Sequence, residues 1–193
     1  MSKVLAIANQ KGGVGKTTTS VNLAASLKAT RKSVLLIDLD PQGNATMGSG
    51  IDKNILELSI YDLLSKQAGF DEVVVRPADA GYDLLPSNGD LVAAEVELMN
   101  GEGRETRLRQ IVEAVRQRYD FVVIDCPPSL NMLTVNAMVA ADGVVIPMQC
   151  EYYALEGLSA LMDTISAIRD RLNPDLKIEG ILRTMYDPRN KLT

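Results

Sequence analysis

The sequence predicts an α/β fold, a doubly wound and mainly parallel sheet flanked by helices, formed as a single domain over residues 1–193. Three observations predict it. Short Val, Ile and Leu runs recur with little polar alternation, as strands buried on both faces do. Helical patterns fall between these runs, the arrangement that parallel pairing requires. The residues able to carry chemistry stand just after the runs, where open α/β sheets gather their ligands.

The strand-like runs are Lys3–Ala8, Ser33–Leu39, Tyr82–Pro86, Phe121–Asp125, Gly143–Pro147 and Lys177–Thr184. Lys16–Ala29 reads as a helix after the first run, and Arg104–Arg118 as another before the Phe121 run. Leu155, Leu158, Leu161 or Met162, Ile165, Ile168 and Leu172 recur every three or four residues, one apolar stripe on a helix. Asn173-Pro174 ends that helix, because proline disfavours helical geometry in the residue before it. No repeat, low-complexity tract or linker interrupts the pattern.

Composition narrows the class. A chain of 193 residues supports one well-buried core. No apolar run approaches the roughly 20 residues of a membrane span, and the amino terminus lacks the layout of a signal peptide. Cys126 and Cys150 make neither a disulfide framework nor a zinc motif, which points to a reduced, cytosolic setting. With no histidine present, a histidine base or ligand is excluded. The net charge of −5 argues against a surface that coats nucleic acid throughout, but leaves room for a local basic patch.

The most specific signal follows the first run: Gln10-Lys11-Gly12-Gly13-Val14-Gly15-Lys16-Thr17-Thr18. Glycines at a strand-to-helix junction let successive N–H groups turn toward phosphate oxygens, and the helix amino terminus adds its positive end. Lys16 is placed to reach the β- and γ-phosphates, and the Thr17 hydroxyl to bind Mg²⁺. Lys11 is unexpected, since two ammonium groups near one triphosphate repel unless their charges are spread over more phosphate; one solution is that Lys11 points into the site of a second subunit.

Two further runs end in acids. Ile37-Asp38-Leu39-Asp40-Pro41-Gln42-Gly43-Asn44 puts carboxylates at alternate positions, on one side of a strand. They are placed to orient Mg²⁺-bound water or an attacking water. Phe121-Val122-Val123-Ile124-Asp125 ends in an acid of Walker B form, so Asp125 is expected to hold Mg²⁺ through a water. Cys126 is expected to be a small buried hydrophobe. Positioning and charge neutralisation suffice for phosphoryl transfer, and a carboxylate is a weak base for water, so slow turnover is expected.

The loop resembles the deviant Walker A motif, K-G-G-x-G-K-[ST], of the ParA/MinD/nitrogenase iron protein group. The Asp38–Asn44 segment resembles that group's D-x-D-P-Q-G-N, and Val145–Leu158 and Thr184–Asn190 are similar to runs of chromosomal ParA/Soj partition ATPases. The resemblance implies an ATP hydrolase with ATP and Mg²⁺ as cofactors. It implies that Lys11 contacts the partner's nucleotide in a face-to-face homodimer, that Asp40 is the hydrolytic aspartate, and that Asp38 supports Mg²⁺ and the loop. Cys126-Pro127-Pro128-Ser129 becomes a switch segment reading the γ-phosphate. It also implies non-specific DNA binding, a ParB-like centromere-binding partner, and a cytoplasmic, nucleoid-associated protein that does not engage the membrane. Arg189 occupies the segment where the family has a DNA-contacting arginine. Arg183, Lys191, Arg169 and Arg171 could extend a basic surface, whereas Arg104–Arg118, interleaved with Glu102, Glu105 and Glu113, reads as an ion-paired face.

Rival classes are a MinD-like membrane-cycling ATPase, which requires a basic amphipathic helix, an iron–sulfur protein, which the positions of Cys126 and Cys150 do not suit, and a non-hydrolysing nucleotide-binding module, which has no need of Asp40. The family pattern runs past Thr193, so a last strand, an adenine-binding loop and terminal helices are expected beyond it. Met185 is the nearest residue here that could border the base.

Overall fold

Six parallel strands, ordered β3-β2-β4-β1-β5-β6, form the sheet. This computed structural model describes residues 2–99, 103–150, 154–187 and 189, with backbone alone at Met99 and residues 154–156. The elements run β1 (Lys3–Ile7), α1 (Lys16–Ala29), β2 (Val34–Asp38), α2 (Asn44–Gly48), α3 (Ile60–Leu64), α4 (Phe70–Val73), β3 (Asp83–Leu85) and α5 (Leu91–Met99). They continue with α6 (Arg107–Val115), β4 (Phe121–Asp125), α7 (Met132–Ala140), β5 (Gly143–Gln149), α8 (Ala154–Arg171) and β6 (Lys177–Thr184). Of the features singled out above, Glu102, residues 151–153, Pro188, Asn190 and Lys191 lie outside the described residues.

The expected doubly wound sheet is what the chain forms, with each expected strand within two residues of its observed ends. Two buried clusters explain why. Val4, Ala6, Leu35, Ile37, Val122 and Ile124 pack on one face with α5 to α8. Their strand neighbours Ile7, Val34, Leu36 and Val123 pack on the other with Ala24 of α1 and Ala45 of α2. Alternate residues of a strand point to opposite faces, so a strand covered on both sides must be apolar throughout. Each fully buried Leu or Ile contributes roughly 1.5–3 kcal/mol.

One expectation is corrected. Arg104–Arg118 is not a single α-helix, because 3-10 turns at Arg104–Thr106 and Arg116–Arg118 flank α6. Gly103 enters the first turn in the left-handed region. At the other end Val115 leaves helical φ, and Arg116 reaches the Asp142 carboxylate and the Ser2 carbonyl. In α8 the stripe runs through Leu161, Ile165 and Ile168, all buried, and not through Met162, which is exposed.

Candidate nucleotide site

The carboxyl ends of β2, β4 and β1, adjacent in the sheet, meet the amino end of α1. The connecting loop is tied down on several sides. Asn9 Nδ2 donates to the Pro147 carbonyl at 2.8 Å, while its Oδ1 accepts the Lys11 N–H at 3.0 Å. Gln10 Nε2 donates to the Gly157 carbonyl of α8, and Thr184 Oγ1 at the end of β6 donates to the Val14 carbonyl. Gly13 and Gly15 hold φ of 74° and 87°, a region only glycine adopts at little cost. Gly15 leads into α1 with no side-chain cap, so the first-turn N–H groups are not taken up by a capping side chain.

Lys16 is buried, and its Nζ curls back to donate to the Lys11 carbonyl at 2.9 Å. Burial lowers its pKa, and the nearby Asp125 and Asp40 carboxylates oppose that. Lys11 and Thr17 are half-buried, whereas Gly12, Gly13 and Thr18 lie exposed on the outside of the loop and Val14 is buried beneath it.

Asp125 is fully buried at the end of β4. Its Oδ1 accepts the Ser20 hydroxyl at 2.7 Å, one turn along α1 from Lys16. Its Oδ2 has no hydrogen-bond partner, one of two such buried side-chain oxygens among the described residues. Burial pushes its pKa up to about 6, opposed by the Ser20 and Thr17 hydroxyls and by Lys16. Asp38 stands beside it in register and is pushed up to about 7, by burial first and the Asp125 charge second.

Asp38 and Asp40 divide their roles. Asp38 Oδ2 accepts both the N–H and the hydroxyl of Thr46 at 2.7 Å, and its Oδ1 accepts the Asp40 N–H at 3.2 Å. Protein groups therefore engage both of its oxygens, and it holds the loop that follows β2. Asp40 is itself buried, with Oδ1 accepting the Gln42 N–H at 2.9 Å. Cys126 is buried, and burial raises its thiol pKa, so it is an inert packing group. Ser129 closes the segment after β4 by accepting the Thr134 hydroxyl.

The remaining expected residues lie on the segment leaving β6. Met185 is 60% exposed with φ of 48°. Arg189 is exposed and forms a two-pronged ion pair with Asp187, and Arg183 stacks 4.9 Å over the Tyr186 ring. Arg169 is turned to the Leu176 carbonyl. In the Arg104–Arg118 stretch, Arg104, Arg116 and Arg118 are ion-paired, and Arg109 binds the Val139 and Leu172 carbonyls. Sequence reasoning missed Asn9, Ser20, Thr46, Ser87 and Thr184. Only Ser20 carries a local signal, four residues after Lys16 on the same helical face. Asn9 and Thr46 brace loops close to them in sequence but belong to no motif of their own, and Ser87 and Thr184 reach the site through sheet order.

Magnesium fits the residues present. The buried, uncompensated Asp125 oxygen and the half-buried Thr17 hydroxyl beside it are hard donors. Among the described residues no three His, Cys, Asp or Glu side chains form a metal cage. Magnesium needs none, since it is commonly held by one or two carboxylates together with substrate phosphates and water.

A family model described as an AAA domain matches residues 2–178. The sporulation initiation inhibitor protein Soj of Bacillus subtilis is 53% identical over 192 residues, spanning 100% of this chain and 76% of that protein. The chromosome partitioning protein ParA of Caulobacter vibrioides is 52% identical over 193 residues, spanning 99% of this chain and 72% of that one. Among solved structures, cobyrinic acid a,c-diamide synthase from Mycobacterium smegmatis, with bound ATP analogue and magnesium, superposes with a TM-score of 0.95 at 44% identity. That match covers 98% of this chain and 78% of the other.

Proposed function

The chain belongs to the ParA/Soj family of ATPases, and from that premise we propose that it is a slow, Mg²⁺-dependent ATP hydrolase that serves as a dimerising switch in DNA segregation. The observation that carries the reading is the buried Lys16 ammonium set near Asp125 and Asp40 at the head of an uncapped helix. From the diamide synthase neighbour only the nucleotide and the cation are taken over. The two partition-type relatives, more alike in sequence, guide the cellular role.

Residues 12–18 cradle the phosphates with backbone N–H groups, and Lys16 leaves the Lys11 carbonyl to pair with them. Thr17 and Asp125 hold Mg²⁺, with Asp38 behind them keeping the loop in place. The cation supplies charge neutralisation on the phosphates. Asp40, with one oxygen fixed by Gln42, orients the attacking water with the other. Lys11 reaches the nucleotide of a second copy, so two chains enclose two ATP molecules. The ATP-bound dimer binds DNA without sequence preference, with Arg189 in the contact and Asp187 giving it up to phosphate. A ParB-like partner stimulates hydrolysis and release. Met185 borders the base. The protein is cytoplasmic and associated with the nucleoid. No helix among the described residues is long and apolar enough to cross a membrane.

Phosphate release from ATP, measured with and without Mg²⁺, tests the enzyme. Lys16→Ala is expected to lose nucleotide binding, and Asp40→Ala to bind ATP, stop hydrolysing and accumulate on DNA. An Asp40→Ala protein that hydrolyses at the wild-type rate would sink the assignment of Asp40.

A further inference from the structure

Asp40 is held from outside its own loop. Ser87, two residues past β3, and Thr46 in α2 are both fully buried. Ser87 Oγ donates to the Asp40 carbonyl at 2.8 Å, and the Ser87 N–H donates to Thr46 Oγ1 at 2.9 Å. The Thr46 hydroxyl in turn donates a hydrogen bond to Asp38 Oδ2 at 2.7 Å, and Asp38 Oδ1 accepts one from the Asp40 N–H. The bonds close into a ring, Asp40–Asp38–Thr46–Ser87–Asp40, that grips the Asp40 backbone at both its N–H and its carbonyl. Each hydroxyl donates once, so every proton in the ring has a place.

Packing leaves the ring little slack. Gly43 sits at φ of 60°, and a Cβ there would come within 2.8 Å of the Ser87 carbonyl oxygen and of Lys53 Cδ. The Gly43 N–H closes a turn onto the same Asp40 carbonyl that Ser87 binds. The Asp40 side chain is then set by its Gln42 bond, so backbone and carboxylate are fixed together.

We propose that Ser87 and Thr46 are positioning residues for the hydrolytic step, holding the Asp40 carboxylate where it can orient water. This rests on the reading of Asp40 as the water-orienting group. The side-chain bonds of Ser87 and Thr46 run to Asp40, Asp38 and each other and not to the phosphate loop, so their loss acts on turnover and spares nucleotide binding. Misplacing a reacting group by even about 1 Å can cost on the order of a hundredfold in rate.

The test is steady-state ATP hydrolysis and fluorescent-nucleotide binding for wild type, Ser87→Ala, Thr46→Val, Thr46→Ser, Asp40→Ala and the Ser87→Ala/Asp40→Ala pair. Ser87→Ala and Thr46→Val are expected to lose roughly tenfold or more in kcat, with nucleotide affinity within about twofold of wild type. Thr46→Ser, which keeps the hydroxyl, restores most of the rate. The double variant is no slower than Asp40→Ala alone, because the clamp acts only through Asp40. Wild-type kcat in Ser87→Ala beside an inactive Asp40→Ala overturns the clamp and leaves Asp40 standing. Wild-type kcat in Asp40→Ala overturns both. Equal losses of affinity and turnover also overturn the proposal, since they mark general damage to the site. Should Ser87→Ala fail to fold, the contrast between Thr46→Val and Thr46→Ser decides.

Discussion

Asp38 and Asp125 face each other in register at the ends of β2 and β4, both fully buried, and this sets the pH behaviour of the nucleotide-free protein. Their folded pKa values, about 7 and about 6, lie above the ordinary 3.8. The folded state therefore binds protons that the unfolded state has released, and its stability falls as pH rises from 3.8 toward 7. Lys16 and the Thr46 and Ser20 hydroxyls soften the effect without reversing it. In magnesium-free buffer the melting temperature is expected to be higher near about pH 5 than near about pH 8. Asp125→Asn removes one charge and the repulsion on Asp38, so it should flatten that dependence. A melting temperature that climbs between those two pH values would contradict the assignment of these burial effects. The same oxygen that costs stability here is the one left without a partner on Asp125, so magnesium with nucleotide is expected to raise the melting temperature most at the alkaline end.

The helices on the far face are joined by carbonyl caps as well as by apolar packing. Asn173, buried after α8, places its amide against the carbonyls of Met138, Val139 and Ala141 at the end of α7. Asn173→Ala strands the Met138 and Ala141 carbonyls in a dry setting, Val139 keeping its bond from Arg109, and is expected to lower the unfolding free energy by about 1–3 kcal/mol in a denaturant titration. Asn173→Asp should do worse, since it removes the donor and buries a charge. The chain announced these elements unevenly. The strands were legible because a strand covered on both faces has to be apolar at every position. The stripe of α8 was legible over its 18 residues. By contrast, α2, α3 and α4 span five, five and four residues, too short to show a helical period. α7 is buried almost all round, and its uniform apolarity hides any stripe.

At the scale of the whole molecule, the phosphate loop and the acids were legible because they sit at strand ends that the fold brings together. Ser87 and Thr184 were not, because what brings them to the site is the order of strands in the sheet, and Thr46 was not, because the helix that carries it is too short to show a period. Lys11 belongs to this scale, since one chain gives it no evident catalytic duty. Its carbonyl holds the Lys16 amine and its N–H is fixed by Asn9, so the backbone is committed to the loop while the residue stays half-exposed. With Gly12 and Gly13 exposed beside it, a second chain can approach without meeting a side chain there. Under the dimer reading, Lys11→Ala keeps nucleotide binding and loses the ATP-dependent doubling of mass, as measured by light scattering. Under the proposed DNA binding, a chain of net charge −5 would engage DNA through a local cationic patch, and affinity that depends on doubling that patch should fall with it. The wild-type ATP-bound form is expected to release DNA steeply as salt rises, by roughly one power of salt for each phosphate neutralised. Arg189→Ala should still dimerise yet show a shallower slope. A Lys11→Ala protein that doubles its mass with ATP and keeps the full salt slope would separate Lys11 from the interface and leave the loop a site for one chain alone.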